Sequence, residues 1–238
     1  KTGSCVNWAV SAATHGSNVL YITMENNYRQ LLCQILSCHS ADPKFYDKNI
    51  ELATHSQIYD ALLSEEQEDF INNTVYKDLI QREARTYGSL FVHHPEKVDY
   101  TLTDVRNICL KYHNQCEGGL DFLVLDAPSL LVPEKGARDM NSRNWIIRTL
   151  KTFAVAFNRG EGLAILCPHQ INRDGFERAK KNDGVYDHKC VADLNEVERS
   201  SDALLTLYLD DNLKAMGQMK LQCLKSRHQG VPQEPFYI

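Results

Sequence analysis

Residues 121–131 read DFLVLDAPSLL, an apolar run from Phe122 to Leu125 that stops on an acid, Asp126, with Pro128 close behind. Apolar residues without polar alternation, bounded by turn signals, are the pattern of a strand buried on both faces, as in a parallel sheet covered by helices. A carboxylate ending such a strand is held at a rigid edge. In open parallel sheets that edge matters, because ligands bind in the crevice beyond the carboxyl ends of the strands.

Similar runs flank this one: VLYITM at 19–24, SLFVHH at 89–94 and GLAILCPHQ at 162–170. Helical patterns lie between them. Val6, Ala9, Val10 and Ala13 recur at helical spacing over 2–14, and a second helix is expected from Asn27 to about Leu36. A long helix is expected from Ser64, closed by Gly88. Thr101, three residues before Asp104, is an N-terminal capping pattern for a helix over 101–116 that keeps Val105, Cys109 and Leu110 to one side. Another helix is expected over 141–160, stopped by Gly160. Strands alternating with helices predict an α/β fold with a mainly parallel sheet. After residue 190 the order changes to a short helix near 192–199 and the strand-like runs ALLTLYL (203–209), MKLQCLK (219–225) and EPFYI (234–238), which predict antiparallel strands appended at one edge. With no internal repeat and no low-complexity linker, residues 1–238 are expected to form one domain.

The totals agree with a globular chain: 238 residues, 43% hydrophobic, enough for a core without staples. No run of about 18 apolar residues is present, and the first residues lack the basic-then-apolar order of a secretion signal, so the expectation is a cytoplasmic protein with no membrane partner. The eight cysteines form no C-x-x-C pairs, which favours reduced thiols over a disulfide framework. The net charge of −5 excludes attraction of nucleic acid by the bulk field, so a polyanion would have to be gripped by local clusters.

Three expected strands end in groups with chemistry: Glu25 after VLYITM, Asp126 after FLVL, and Gln170 after LAILCPH. Lys1 and Thr2 stand at the start of the helix that precedes them, where the last two residues of G-x-x-x-x-G-K-[ST] stand in a phosphate-binding loop. The chain enters that helix with no strand before it, so a first strand and the loop glycines are expected to precede Lys1. Nucleoside triphosphate hydrolysis needs this set: Lys1 for β- and γ-phosphates, Thr2 and Asp126 for Mg²⁺, Glu25 as base, and Gln170 to sense the γ-phosphate. Singly, each has an ordinary alternative, since Asp126 can form a turn, Glu25 can cap the following helix and Gln170 can be a loop residue. Their order on successive strands favours the joint reading.

These segments resemble the RecA-like motor domain of DnaB-type replicative helicases, including the helicase half of phage primase-helicases. KT at 1–2 is similar to the end of the family's phosphate loop, VLYITMENN to its strand leading into S-L-E-M, FLVLDAPSLL to its magnesium-aspartate strand, and PHQINR to S-Q-L-N-R. ADLNEVERSSDALLTLYL resembles the D-L-R-x-S-G segment, and LKSRHQG resembles K-N-R-x-G. Ala127-Pro128, Pro168-His169, Asn195 and Val197 depart from the family's usual residues. The resemblance implies a RecA-like P-loop NTPase fold, ATP and Mg²⁺ as cofactors, and a helicase ring, a hexamer by family expectation. It implies that Lys225 and Arg227 act in trans on a neighbour's nucleotide, and it names a primase or helicase loader as a partner. It further implies single-stranded DNA held by loops that follow the aspartate and sensor strands. Those loops would be VPEKGARDMNSRN, with Lys135, Arg138 and Arg143, and NRDGFERAKKNDGVYDHK, with Arg173, Arg178, Lys180 and Lys181. Acids interleave with these bases, so an ordinary solvated surface stands beside DNA contact.

Two rivals stay open at this stage. Cys109, His113 and Cys116, with His93 and His94 nearby, could be zinc ligands, although three ligands along one helix face make a poor tetrahedron. A recombinase- or clock-type RecA-like ATPase, or a nucleotide-dependent scaffold without turnover, would share the fold.

Overall fold

The computed structural model describes residues 2–42, 78–79, 86–134, 140–187, 190, 195–228, 230–232 and 234–238. It divides into two compact units, Lys1–Gly136 with Phe153–Pro168, and Ala137–Thr152 with His169–Ile238.

The first unit is built on four parallel strands in the order β2-β1-β3-β4: β1 (Val19–Thr23), β2 (Leu90–His93), β3 (Phe122–Asp126) and β4 (Ala164–Leu166). β1 is buried along its whole length and β3 from Leu123 on, as their unbroken apolar runs require. One face carries Val19, Tyr21, Phe122 and Val124 against α1 (Thr2–Thr14) and α2 (Tyr28–Ser40), through Cys5, Val6, Ala9, Val10, Ala13, Leu31, Cys33, Ile35 and Leu36. On the other face, Phe91 of β2 packs on Tyr112 of α3 (Leu102–His113), with ring centroids 4.6 Å apart. The expected cap of α3 is present in both directions: Thr101 accepts from the Asp104 amide, and Asp104 accepts from the Thr101 amide. Asn27 caps α2 in the same manner, its Oδ1 accepting from Gln30 N at 2.9 Å.

At the amino edge of this sheet Asn18 ties three segments together. Its Oδ1 accepts from Ser89 N at 2.9 Å, and its Nδ2 donates to the Gly119 and Glu117 carbonyls at 2.7 and 3.0 Å. Its own amide donates to Asp121 Oδ2 at 2.8 Å. β1, β2 and β3 therefore start from a common point.

The second unit contains the antiparallel sheet β5-β6-β7, made of β5 (Ala203–Tyr208), β6 (Lys220–Ser226) and β7 (Phe236–Tyr237). Its small core joins Ala179, Tyr186, Cys190 and Tyr208 with Phe176, Leu213 and Leu224. The helix α4 (Met140–Gly160) begins in this unit and ends in the first, leaving helical dihedrals at Phe157–Arg159 before Gly160 at φ +97°.

Several expectations change. The stretch taken as the second DNA loop contains a helix, α5 (Arg173–Lys181): Asn172 caps it by accepting from Gly175 N at 2.7 Å, and Phe176 and Ala179 anchor its inner side. Arg143 lies in the first turns of α4 and not in a loop. β4 is shorter than 162–170, ending at Leu166 ahead of Pro168, which has no amide to donate to a ladder. Short helices, α6 (Asn195–Ser200) and α7 (Asp211–Ala215), flank β5, the latter in place of a plain turn because Asp210 caps it from Leu213 N at 2.8 Å. Of the long helix expected over 64–88, only Asp78 and Leu79 are described as helical, and the rest lies outside the described residues up to Thr86, a turn. At Gly88 a Cβ would sit 2.0 Å from the Ser17 carbonyl oxygen, so the position excludes any side chain.

Cys109 is buried core, and His113 Nδ1 accepts from Leu120 N at 3.0 Å while its ring sits edge-on to Phe157. Among the described residues no group of three or more His, Cys, Asp and Glu side chains could hold a metal ion. All eight cysteines are free thiols. No described helix is long and apolar enough to cross a membrane.

Candidate nucleotide site

The strand order places a crevice between β1 and β3, because the chain leaves β1 toward β2 on one side and returns to β3 on the other. The register there is set by pairing of Thr23 with Asp126 and by donation from Met24 N to the Asp126 carbonyl at 2.7 Å. Glu25 therefore stands just beyond the row that contains Asp126, on the next turn of chain, and is exposed. The bend that presents it is fixed by Thr23 Oγ1, which accepts from Asn26 N at 3.1 Å.

Asp126 is fully buried. Its Oδ2 receives two hydroxyl donors, Thr2 Oγ1 at 2.9 Å and Tyr21 OH at 3.1 Å. Its Oδ1, equally buried, has no hydrogen-bond partner among the described residues. A carboxylate oxygen left in that state is costly unless something electropositive meets it. Burial and the Asp126 charge both push the Tyr21 phenol far above its ordinary pKa, so it stays protonated and donates. The peptide from Asp126 to Ala127 is cis, and Pro128–Leu130 form a short 3₁₀ turn.

The oxygens present suit a magnesium ion. Mg²⁺ takes hard oxygen ligands, commonly one or two from protein beside water and phosphate, and Thr2 Oγ1 and Asp126 Oδ1 are such atoms at the head of a helix and the end of a buried strand. Thr2 and Asp126 are thus brought together as the sequence suggested, with Glu25 at the same strand edge. Gln170 is exposed and belongs to the second unit, beyond the end of β4. Lys1, Lys135 and Arg138 lie outside the described residues.

Lys225 and Arg227 occupy the end of β6 in the second unit, where both are held by the last carbonyls of α6. Lys225 Nζ donates to the Glu198 carbonyl and Arg227 Nη2 to that of Arg199 at 2.6 Å. Burial and the neighbouring Arg227 lower the Lys225 pKa. Arg227 also approaches Asp202 at 3.4 Å, and Asp202 pairs with Lys151 of α4. Arg148, one turn earlier, meets the buried Glu196 at 2.7 Å. On α5, Asp174 lies in the first turn and Arg178, Lys180 and Lys181 in the last, an order that complements the helix dipole.

Sequence reasoning missed Tyr21. The available signal was a tyrosine inside a strand buried on both faces, whose hydroxyl must find a partner. It also missed Asn18.

No protein-family model and no curated protein matches the chain in sequence. Solved structures do match in fold. A DnaB-like replicative helicase, described with its interactions with primase, superposes with a TM-score of 0.73 at 14% identity, covering 99% of this chain and 51% of that one. The ATPase domain of a second protein superposes with a TM-score of 0.67 at 14% identity, covering all of this chain and 76% of that domain's chain. The chain thus spans about half the length of the helicase it matches. With a helix-flanked parallel sheet in one unit and an antiparallel sheet in the other, the chain has the RecA-like fold of the ATPase domain of DnaB-like replicative helicases.

Proposed function

We propose that the chain is the ATP-hydrolysing motor of a DnaB-type replicative helicase, working in the cytoplasm as a homo-oligomeric ring, a hexamer by family resemblance, on single-stranded DNA. The observation that carries this reading is the bond from Thr2 to Asp126, which joins residues 124 apart in sequence beside a buried carboxylate oxygen that has no hydrogen-bond partner among the described residues. That pair is what a helix following a phosphate loop and a strand ending in a magnesium-side acid bring together.

Bound with the nucleotide, Mg²⁺ supplies neutralisation of the charge on the β- and γ-phosphate oxygens. Thr2 and Asp126 would hold it. Lys1 meets the same phosphates, and Glu25 orients a water and takes its proton at the carboxylate. Gln170 responds to the γ-phosphate. Lys225 and Arg227, at a strand end, reach the nucleotide of the adjacent subunit, which couples hydrolysis to neighbours. The two units act together as one motor domain over 1–238.

DNA contact is assigned to Lys135, Arg138 and Arg143, and to Arg173, Arg178, Lys180 and Lys181 of α5, through salt-sensitive phosphate contacts. The likeness to a helicase described with primase makes a primase or loader the expected protein partner. The test is ATP hydrolysis by the full-length protein with and without single-stranded DNA, followed by strand separation. Glu25→Gln should bind nucleotide and fail to hydrolyse it. Full hydrolysis by that variant sinks the assignment.

A further inference from the structure

Asp126 presents its two oxygens unequally. Oδ2 takes both hydroxyls, from Thr2 and Tyr21, while Oδ1 takes none among the described residues. A carboxylate held by one oxygen cannot rotate about its last side-chain bond without breaking two hydrogen bonds, so the other oxygen has a fixed direction. The two donors differ in what else they must do. On the function proposed above, the Thr2 oxygen joins the metal, whereas the Tyr21 hydroxyl has no other hydrogen-bond partner among the described residues and sits in the core with no exposed surface. Its ring lies with Cys5, Val6, Val19 and Val124 in the face packed by α1 and α2, so phenylalanine would fill the same space.

We infer that Tyr21 is a positioning residue: its hydroxyl holds Asp126 Oδ2 so that Oδ1 is the oxygen offered to Mg²⁺. The inference rests on the magnesium role proposed for Asp126. Groups that orient a metal's ligands commonly change metal affinity 10- to 100-fold when removed, which sets the expected size at roughly tenfold for one neutral hydroxyl.

The experiment uses the full-length protein and a fluorescent, non-hydrolysable ATP analogue, titrated with Mg²⁺ and repeated in EDTA. Tyr21→Phe should raise the Mg²⁺ concentration for half-maximal binding about tenfold while leaving affinity in EDTA unchanged. Asp126→Asn should abolish the Mg²⁺-dependent gain. In the Asp126→Asn background, Tyr21→Phe should add nothing, because a residue acting through Asp126 has no effect once that carboxylate is gone. An unchanged Mg²⁺ midpoint in Tyr21→Phe, with Asp126→Asn defective, overturns the inference and leaves the magnesium role standing. So does an equal loss in Mg²⁺ and in EDTA, which marks a merely structural side chain. An Mg²⁺ response that survives Asp126→Asn overturns the magnesium role itself.

Discussion

Replacing Asn18 with alanine removes a side chain that ties the starts of β1, β2 and β3 to one another. The buried Ser89 amide loses its acceptor, the buried Gly119 carbonyl loses a donor, and the Glu117 carbonyl, on an exposed residue, exchanges a protein donor for water. An unmet buried amide costs about 1–3 kcal/mol and a lost hydrogen bond about 1 kcal/mol, so the sum is about 3 kcal/mol. Set against a usual folding stability of roughly 5–15 kcal/mol, that is a large fraction. Urea denaturation measures it. Of the two tryptophans, Trp8 lies on α1 in the first unit and Trp145 is exposed on α4, so a Trp145→Phe background leaves Trp8 as sole reporter of the unit concerned. With a urea slope of about 1–3 kcal/mol per molar, the Asn18→Ala midpoint should fall by about 1 M or more. A fall below about 0.3 M at unchanged slope would refute the account of Asn18 as the shared anchor.

Gly88→Ala should prevent stable folding of the first unit or lower its melting temperature sharply, because the added methyl meets the Ser17 backbone carbonyl at 2.0 Å and a Cβ has no rotamer by which to move aside; a normal melting curve contradicts it. Arg227→Ala should keep nucleotide binding and lose about 10³-fold or more in turnover, and mixing it with Glu25→Gln subunits should restore part of the rate, since a shared interface then holds one intact copy of each. No recovery on mixing argues against action in trans. Arg148 and then Ser200 hold the Glu196 pKa below the usual carboxylate range. A depressed folded value means stability is fully present above the unfolded value of about 4.3 and is lost as pH falls through the lower folded value. The gap in melting temperature between the native protein and Arg148→Gln should therefore be open at pH 7 and close in acid; a gap independent of pH rules the pair out as its cause.

The sheet was legible because burial on both faces leaves no freedom: the runs around Leu20 and Leu123 can be nothing but interior strands, and their ends named Glu25 and Asp126. The cap at Thr101 and Asp104 was equally plain, since both partners lie within one turn. What failed to show depended on partners distant in sequence. The helix α5 looks like a charged loop until Phe176 stacks on Tyr208, 5.5 Å between centroids. Gly88 reads locally as a helix stop, and only the approach of Ser17 shows that a side chain is excluded there. Tyr21 looks like core filling until β3 brings Asp126 beside it.

The pairing of Thr23 with Asp126 carries a consequence for folding fidelity. Phe122, Val124 and Asp126 share one face of β3, and Val124 is in the core that α1 packs. A slip of one residue against β1 would turn all three to the opposite face at once, burying the acid away from Thr2 and stranding Val124 from its cluster. The same apolar contacts that select the native pairing therefore also reject the sheet in which the acid has slipped by one residue. A molecule that has condensed correctly has, by that fact, assembled Asp126 beside Thr2, and selection for a stable core acts as selection for the site.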